Sequence, residues 1–201
     1  MLLLATSNPG KREELRAFIP TGVEIVTLAD FDIDLPPEDG KSFVEIASTK
    51  AAFAARASGL LTIADDSGLD VDALAGAPGI WSARFAGEPV DDARNRTYLL
   101  AQLDCVPIGQ RTARFRCAVA IANPDGVIAT GEGACEGTIG MREVGSYGFG
   151  YDSLFVLPDG RTMAELETVE KNRISHRARA YEQIASQLEL VLTTVPFRTD
   201  R

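Results

Sequence analysis

The chain is poor in the residues that carry most metal, redox and nucleic-acid chemistry. One histidine, His176, and three cysteines stand among 201 residues. No CxxC pair occurs, and an odd cysteine count leaves one thiol over in any disulfide scheme. Cys117 and Cys135 lie on runs that read as neighbouring strands, so one bridge is conceivable. Buried free thiols are the default expectation for these two and for Cys105. A lone histidine with no ligand cluster around it argues against a zinc site. Positive charge is scarce as well, with 20 Lys and Arg against 29 Asp and Glu and a net charge of −9. That balance argues against duplex nucleic acid or an anionic membrane as partner, because a phosphate surface demands a basic one. A small phosphorylated ligand, which needs only a few local cations, stays open. No apolar run approaches the ~20 residues of a spanning helix. The opening MLLLATSNPGK has too short an apolar run, and no basic stretch before it, for a secretory signal. A cytoplasmic protein is expected.

What is present suits a sizeable core: 45% of residues are apolar and 24% charged,. LLLAT (2–6) reads as a short strand, SNPGK as a turn, and KREELRAFI (11–19) as a helix. VEIVTL (23–28) is a second strand, and the acidic, Pro/Gly-rich stretch 28–41 is mostly loop. Ser42 and Glu45 form a capping box that opens an Ala-rich helix to about Ala57. LLTIAD (60–65) is the next strand, LAGAPGIWSARFAG (74–87) is small and Gly-rich, and DDARNRTYLLAQL (91–103) is a capped helix. Two strand-like runs over 111–139 are joined by NPDG, a hairpin signal. GSYGFGYDSLFVLPDGR (145–161) is a Gly-rich loop, a short strand and a turn. AELETVEKN (164–172) is a short helix, and ISHRARAYEQIASQLELVL (174–192) is a long one with Ser175 as N-cap. Alternating strands and helices followed by a hairpin predict an α/β protein with a mixed central sheet. No repeat, low-complexity tract or independent linker interrupts it, so a single domain spanning 1–201 is expected.

Five stretches bear on chemistry. In ATSNPGK (5–11) a strand runs through a Gly-containing turn into a helix start, a natural cradle for an anion. Thr6, Ser7 and Asn8 add donors and Lys11 a mobile charge, although the GxxxxGK[ST] spacing of a P-loop is absent. Lys50 lies on the Ala-rich helix, where a solvated cation is the plain reading. ADDSG (64–68) places two carboxylates at the end of an apolar strand. If the strand extends that far, Asp65 and Asp66 face opposite ways, so one reaches a site while the other braces the turn. A carboxylate at a strand end suits Mg²⁺, which takes one or two protein oxygens beside phosphate and water. Glu38 in PPEDG is the candidate second ligand, with a solvated loop acid as the plainer alternative. GSYGFGYD (145–152) sets aromatic rings among glycines and suits stacking on a planar base; an ordinary loop with buried rings fits equally. In EKNRISHRARA (170–180), His176 and Arg177 sit at a helix start, where cations oppose the helix dipole. That cost favours a ligand-facing role, although a lone histidine is more often structural.

Taken in order, ATSNPGKREEL, the FVE…TKA helix, ADDSGLDVDALAGAPGIWSARFAG, GFGYDSLF and AELETVEKNRISHRARA resemble the inosine/xanthosine triphosphate pyrophosphatases, the RdgB/ITPA-like house-cleaning enzymes, from residue 5 to about 180. The resemblance implies a mixed sheet elongated into two lobes, a nucleotide cleft between them, and a homodimer. It implies Mg²⁺-dependent hydrolysis of ITP, dITP and XTP to the monophosphate and pyrophosphate. Thr6, Ser7, Asn8, Pro9, Gly10 and Lys11 would wrap the triphosphate, and Lys50 would add a second cation. Glu38 and Asp66 would hold Mg²⁺, Asp66 would also accept the proton of the attacking water, and Ser67 would contact substrate. Phe149, Gly150, Tyr151, Asp152, Lys171, His176 and Arg177 would bind the nucleoside.

Three departures from the family pattern stand out. Ile46 replaces the usual Asn of FVENA, Ser153 stands where Pro usually follows GFGYD, and Met163 replaces Phe in TFAEL. Rival readings are a Maf-like nucleotide pyrophosphatase, whose SxSPRR-type opening ATSNPGK does not match, and a nucleotide sensor without turnover. A haloacid-dehalogenase phosphatase would want DxD rather than DDSG.

Overall fold

The computed structural model describes residues 1–194; the last stretch of the expected 1–201 domain, residues 195–201, lies outside the described residues. Among the described residues the strands form one mixed sheet in the order β2-β1-β3-β5-β6-β7, with β4 paired to β3. These are β1 (Leu2–Leu4), β2 (Ile25–Thr27), β3 (Leu61–Val71), β4 (Pro78–Gly79), β5 (Thr112–Asn123), β6 (Gly126–Ile139) and β7 (Phe155–Val156). The helices are α1 (Pro9–Arg16), α2 (Phe43–Ser58), α3 (Asp92–Gln102), α4 (Thr168–Ile174) and α5 (His176–Thr194). The mixed α/β class expected from the alternation is the one observed. The chain divides into two compact units, each assembled from separated segments.

The first unit takes Met1–Asp66, Ala118–Glu132 and the chain from Arg179. Strand β1 runs parallel to β2, Leu2 opposite Ile25, and to β3, Leu2 opposite Leu61. Leu2, Leu3 and Leu4 are wholly buried. A parallel strand covered on both faces needs such a continuous apolar run. Helix α2 starts at Ser42, whose Oγ accepts the Glu45 N–H at 3.2 Å. The capping box closes one residue early, because Glu45 Oε2 accepts from the Lys41 N–H rather than that of Ser42. The buried face of α2 is Phe43, Ile46, Ala47, Lys50, Ala51, Ala54 and Ala55. That is the i, i+3, i+4 stripe of a core-facing helix, and Lys50 lies on it. The NPDG hairpin is present: Asn123 Oδ1 accepts the N–H groups of Asp125 and Gly126, a side-chain turn that local sequence specifies.

Helix α5 approaches β6 closely at Gly131. A Cβ there would overlap the Ala180 carbonyl oxygen and stand 3.0 Å from Gln183 Cβ and 3.0 Å from Ile184 Cγ2. Gly131→Ala is therefore expected to lower unfolding free energy by about 2 kcal/mol, the usual range for overpacking a closed interface. Urea titration followed by circular dichroism checks it; an unchanged midpoint would show that α5 shifts freely.

The second unit takes Ser67–Cys117 and Gly133–Ala178. Its core joins Leu69 and Val71 of β3, Leu99 and Leu103 of the α3 region, Phe115 and Cys135 of the β-hairpin strands, and Leu154, Phe155 and Leu166. Strand β4 pairs antiparallel with β3, and β7 with β6, Ile139 opposite Phe155. Arg111 is nearly buried, yet its guanidinium is satisfied by the carbonyls of Leu103 (2.7 Å), Val106 (2.9 Å) and Gly140 (3.4 Å). All three cysteines are free thiols, and Cys105 is exposed, against the expectation of burial for all three.

Two element boundaries differ from the sequence reading. The expected SNPGK turn is already helix from Pro9 onward. Strand β3 does not end on the aspartates but carries ADDSG in its middle. No turn follows Asp65 directly for it to brace.

Candidate active site

The first unit gathers five charged groups. Asn8 caps α1, its Oδ1 accepting the Lys11 N–H at 3.0 Å, with Pro9 in the first turn where a missing N–H costs nothing,. The Asn8 N–H donates to Thr6 Oγ1 at 3.2 Å, so Thr6, Asn8 and Lys11 are tied into one turn. From it the Lys11 ammonium lies 3.4 Å from Asp65 Oδ2 and 3.9 Å from Asp66 Oδ1. The Lys50 ammonium, on the apolar stripe of α2, lies 2.8 Å from Glu38 Oε1 and donates to the Asp65 carbonyl at 3.0 Å. Lys50 is thus a buried cation rather than the solvated one its surroundings in sequence implied. Ile46, the departure from the family pattern, packs one turn before it, 2% exposed. A pocket of about 480 Å³ opens beside the same turn, lined by Thr6, Ser7 and Arg12 and by residues of the stretch Thr27 to Leu35. Arg12 was not singled out from sequence; its place one helical residue beyond Lys11 was the available signal.

Burial decides the electrostatics here. It pushes the Asp66 carboxyl up to about 6, with Lys11 and Lys50 opposing and Glu38 and Asp65 adding to the rise. Burial alone would push Lys50 down; the carboxylates of Asp65, Glu38 and Asp66 outweigh it and hold the ammonium above its ordinary value. Among the described residues no three His, Cys, Asp or Glu converge as an all-protein metal cage. Mg²⁺ needs less, because phosphate and water complete its shell. Asp66 Oδ2 is buried and accepts no hydrogen bond, an oxygen that fits a cation or a proton. The donor set of Asp66 and Glu38 is therefore compatible with Mg²⁺.

The second unit gathers the remaining residues read from sequence. Ser175 caps α5, its Oγ accepting the Ala178 N–H at 3.1 Å, as expected. This start fixes the two residues that follow. Arg177 donates to Ser67 Oγ at 3.0 Å. His176 is buried and stacks on Phe115, ring centres 4.9 Å apart. In the Gly-rich loop, Asp152 Oδ2 accepts the Phe149 N–H at 2.9 Å and pairs with the buried Lys171 ammonium at 2.5 Å. The Phe149 ring lies 5.0 Å from Lys171 Nζ and 5.9 Å from Arg177 Cζ, within cation–π range. Tyr151 turns inward instead: its hydroxyl donates to the Ser82 carbonyl at 2.8 Å and its ring joins the core. Burial, with Asp92 adding, pushes its phenol well above the ordinary value. Gly150 is held through its backbone, which the sequence reading did not foresee.

The first cluster can hold anionic oxygens and a metal beside a proton acceptor; the second offers a half-buried ring and fixed polar groups. Comparison with known proteins bears on both. The Ham1 family matches residues 2–187. A dITP/XTP pyrophosphatase of Desulforamulus reducens is 52% identical over 186 residues, covering 90% of this chain and 92% of its own. One from Geobacillus kaustophilus is 50% identical over 195 residues, covering 95% of each. Among solved structures, a HAM1 protein from Coxiella burnetii superposes with a TM-score of 0.84 at 36% identity, covering 94% of this chain and 98% of that one. No helix among the described residues is long and apolar enough to cross a membrane. With the match extending over nearly the whole chain, the protein belongs to the Ham1 family.

Proposed function

We propose that this protein hydrolyses deaminated purine nucleoside triphosphates, dITP, ITP and XTP, to the monophosphate and pyrophosphate. The relatives named dITP/XTP pyrophosphatase supply the substrate class. The observation that carries the chemistry is Asp66, a buried carboxylate with one oxygen unspent, beside two lysines. Release of pyrophosphate requires attack at the α-phosphorus and departure of the β,γ-diphosphate. Asp66 accepts the proton of the attacking water, a task suited to a carboxylate titrating nearer neutrality than usual. Lys11, Lys50 and the turn Thr6, Ser7, Asn8, Pro9, Gly10 meet the phosphate oxygens, charge against charge. Mg²⁺, held by Asp66 and Glu38, would supply further neutralisation of the reacting phosphoryl oxygens. Phe149 stacks on the base, and Gly150, Tyr151 and Asp152 shape the loop that presents it. Ser67, Lys171, His176 and Arg177 take the nucleoside's polar edge. Donors placed for a 6-oxo oxygen lose their partner when adenine presents an amino group, and such a site rejects the wrong base strongly. We read the working form as a homodimer in the cytoplasm.

The test offers ITP, dITP, XTP, ATP and GTP to the purified protein with Mg²⁺ and scores monophosphate and pyrophosphate separately. Release of both from the deaminated substrates, with ATP and GTP spared, is expected. Free phosphate with a diphosphate product would overturn the site of attack, and tight ITP binding without product would replace an enzyme by a sensor.

A further inference from the structure

Helix α3 grips one residue of the Gly-rich loop from both sides. Asp92, in its first turn, accepts the Gly150 N–H at 2.8 Å. Arg96, one turn along, donates from Nη1 to the Gly150 carbonyl oxygen at 3.0 Å. Both polar atoms of a single loop residue are thus held by side chains more than fifty positions away in sequence. Arg96 is itself oriented: its Nε lies 2.8 Å from Glu143 Oε2, which also accepts from Ser153 Oγ at 3.1 Å. Ser153 stands where the related pattern has proline, which has no side-chain donor to offer Glu143. The residue before Gly150 is Phe149, whose own N–H is held by Asp152. The backbone on both flanks of the Phe149 ring is therefore fixed, and α3 supplies half of the fixing.

We propose that Asp92 and Arg96 are positioning residues that hold the Phe149 ring ready for the nucleobase, with Glu143 and Ser153 steering Arg96. The proposal rests on the reading that Phe149 meets the base. Neither residue touches the reacting phosphate; each acts through Gly150. Holding a loop in its bound conformation before the ligand arrives lowers the ordering cost of binding and leaves the chemical step alone. Loss of either grip should then appear in KM and spare kcat.

The experiment compares wild type with Arg96→Ala, Asp92→Ala, Asp92→Asn and Ser153→Pro. It measures dITP and XTP kinetics, thermal midpoints, and amide hydrogen exchange at Phe149 and Gly150. Arg96→Ala and Asp92→Ala are expected to raise KM about tenfold with kcat within about twofold, the scale of one lost hydrogen bond to a charged group. Exchange at the Gly150 amide should quicken by about the same factor in Asp92→Ala. Asp92→Asn keeps an oxygen acceptor and should restore most of both. Ser153→Pro should give a smaller rise in KM, since Glu143 remains opposite Arg96. A lowered thermal midpoint with KM and exchange unchanged would overturn the proposal, as would a fall confined to kcat. Should wild type hydrolyse neither nucleotide, the functional reading fails separately, and the exchange data alone decide whether α3 holds the loop.

Discussion

Asp66→Asn is expected to lower kcat for dITP by about three orders of magnitude, the scale of a lost general base, and at the same time to stabilise the metal-free protein. The amide keeps the shape of the carboxyl but takes no proton from water. The gain in stability follows from the same burial that makes the group useful. The Asp66 carboxyl is raised from 3.8 to about 6. An acid whose value is raised by folding holds its proton more tightly in the native state. The stabilisation this gives is fully present below about 3.8 and is lost as pH rises through about 6,. At neutral pH the ionised carboxylate therefore costs ~3 kcal/mol relative to its neutral form, at about 1.36 kcal/mol for each pKa unit. Urea unfolding of wild type and variant without metal, at pH 4 and pH 7, should show curves near one another at the lower value and the variant ahead at the higher. Wild-type turnover in the variant would remove Asp66 from the mechanism, and equal stability at pH 7 would mean that burying the ionised Asp66 costs the fold nothing.

Gly148→Ala should produce the second large effect. Gly148 has φ +76°, and a Cβ there would overlap the Asp152 carboxylate and stand 3.2 Å from the Lys171 ammonium. The clash falls on the group that accepts the Phe149 N–H and pairs with Lys171. Lys171 is buried, so moving Asp152 away disrupts an ion pair that is shielded from water. Unfolding free energy should drop by about 4 kcal/mol, from left-handed backbone strain together with a broken buried pair. Because the Phe149 ring moves with the loop, kcat/KM for dITP should fall about a hundredfold, as ångström-scale misplacement typically produces. Thermal unfolding and steady-state kinetics check the two effects, and an unaltered kcat/KM would mean that the ring's position is irrelevant to turnover.

The hairpin was legible in NPDG because Asn123 makes its turn with its own neighbours. The start of α5 was legible in Ser175 for the same local reason. The length of β3 was not, since Asp65, Asp66, Ser67 and Gly68 are all poor strand formers. They stay extended inside a strand that lies between β1 and β5 in the sheet, with Lys11 and Lys50 of other elements beside the aspartates. Lys50 illustrates a subtler failure. Its spacing from Phe43, Ile46 and Ala47 placed it on the buried stripe, yet its charge favoured the solvated reading. Asp92 and Arg96 could not be found at all, because their partner is the backbone of Gly150 far along the chain, and Arg111 likewise reaches the Gly140 carbonyl; backbone leaves no mark on a sequence.

The interleaved make-up of the two units has a consequence for how the protein can be taken apart. The chain passes from one unit to the other after Asp66, Cys117, Glu132 and Ala178. No single cut separates them, and neither unit corresponds to one continuous stretch of gene. A nick in either half of the β5–β6 hairpin severs strands that serve both. One crossover between this gene and a relative's would therefore exchange parts of both units rather than either one whole.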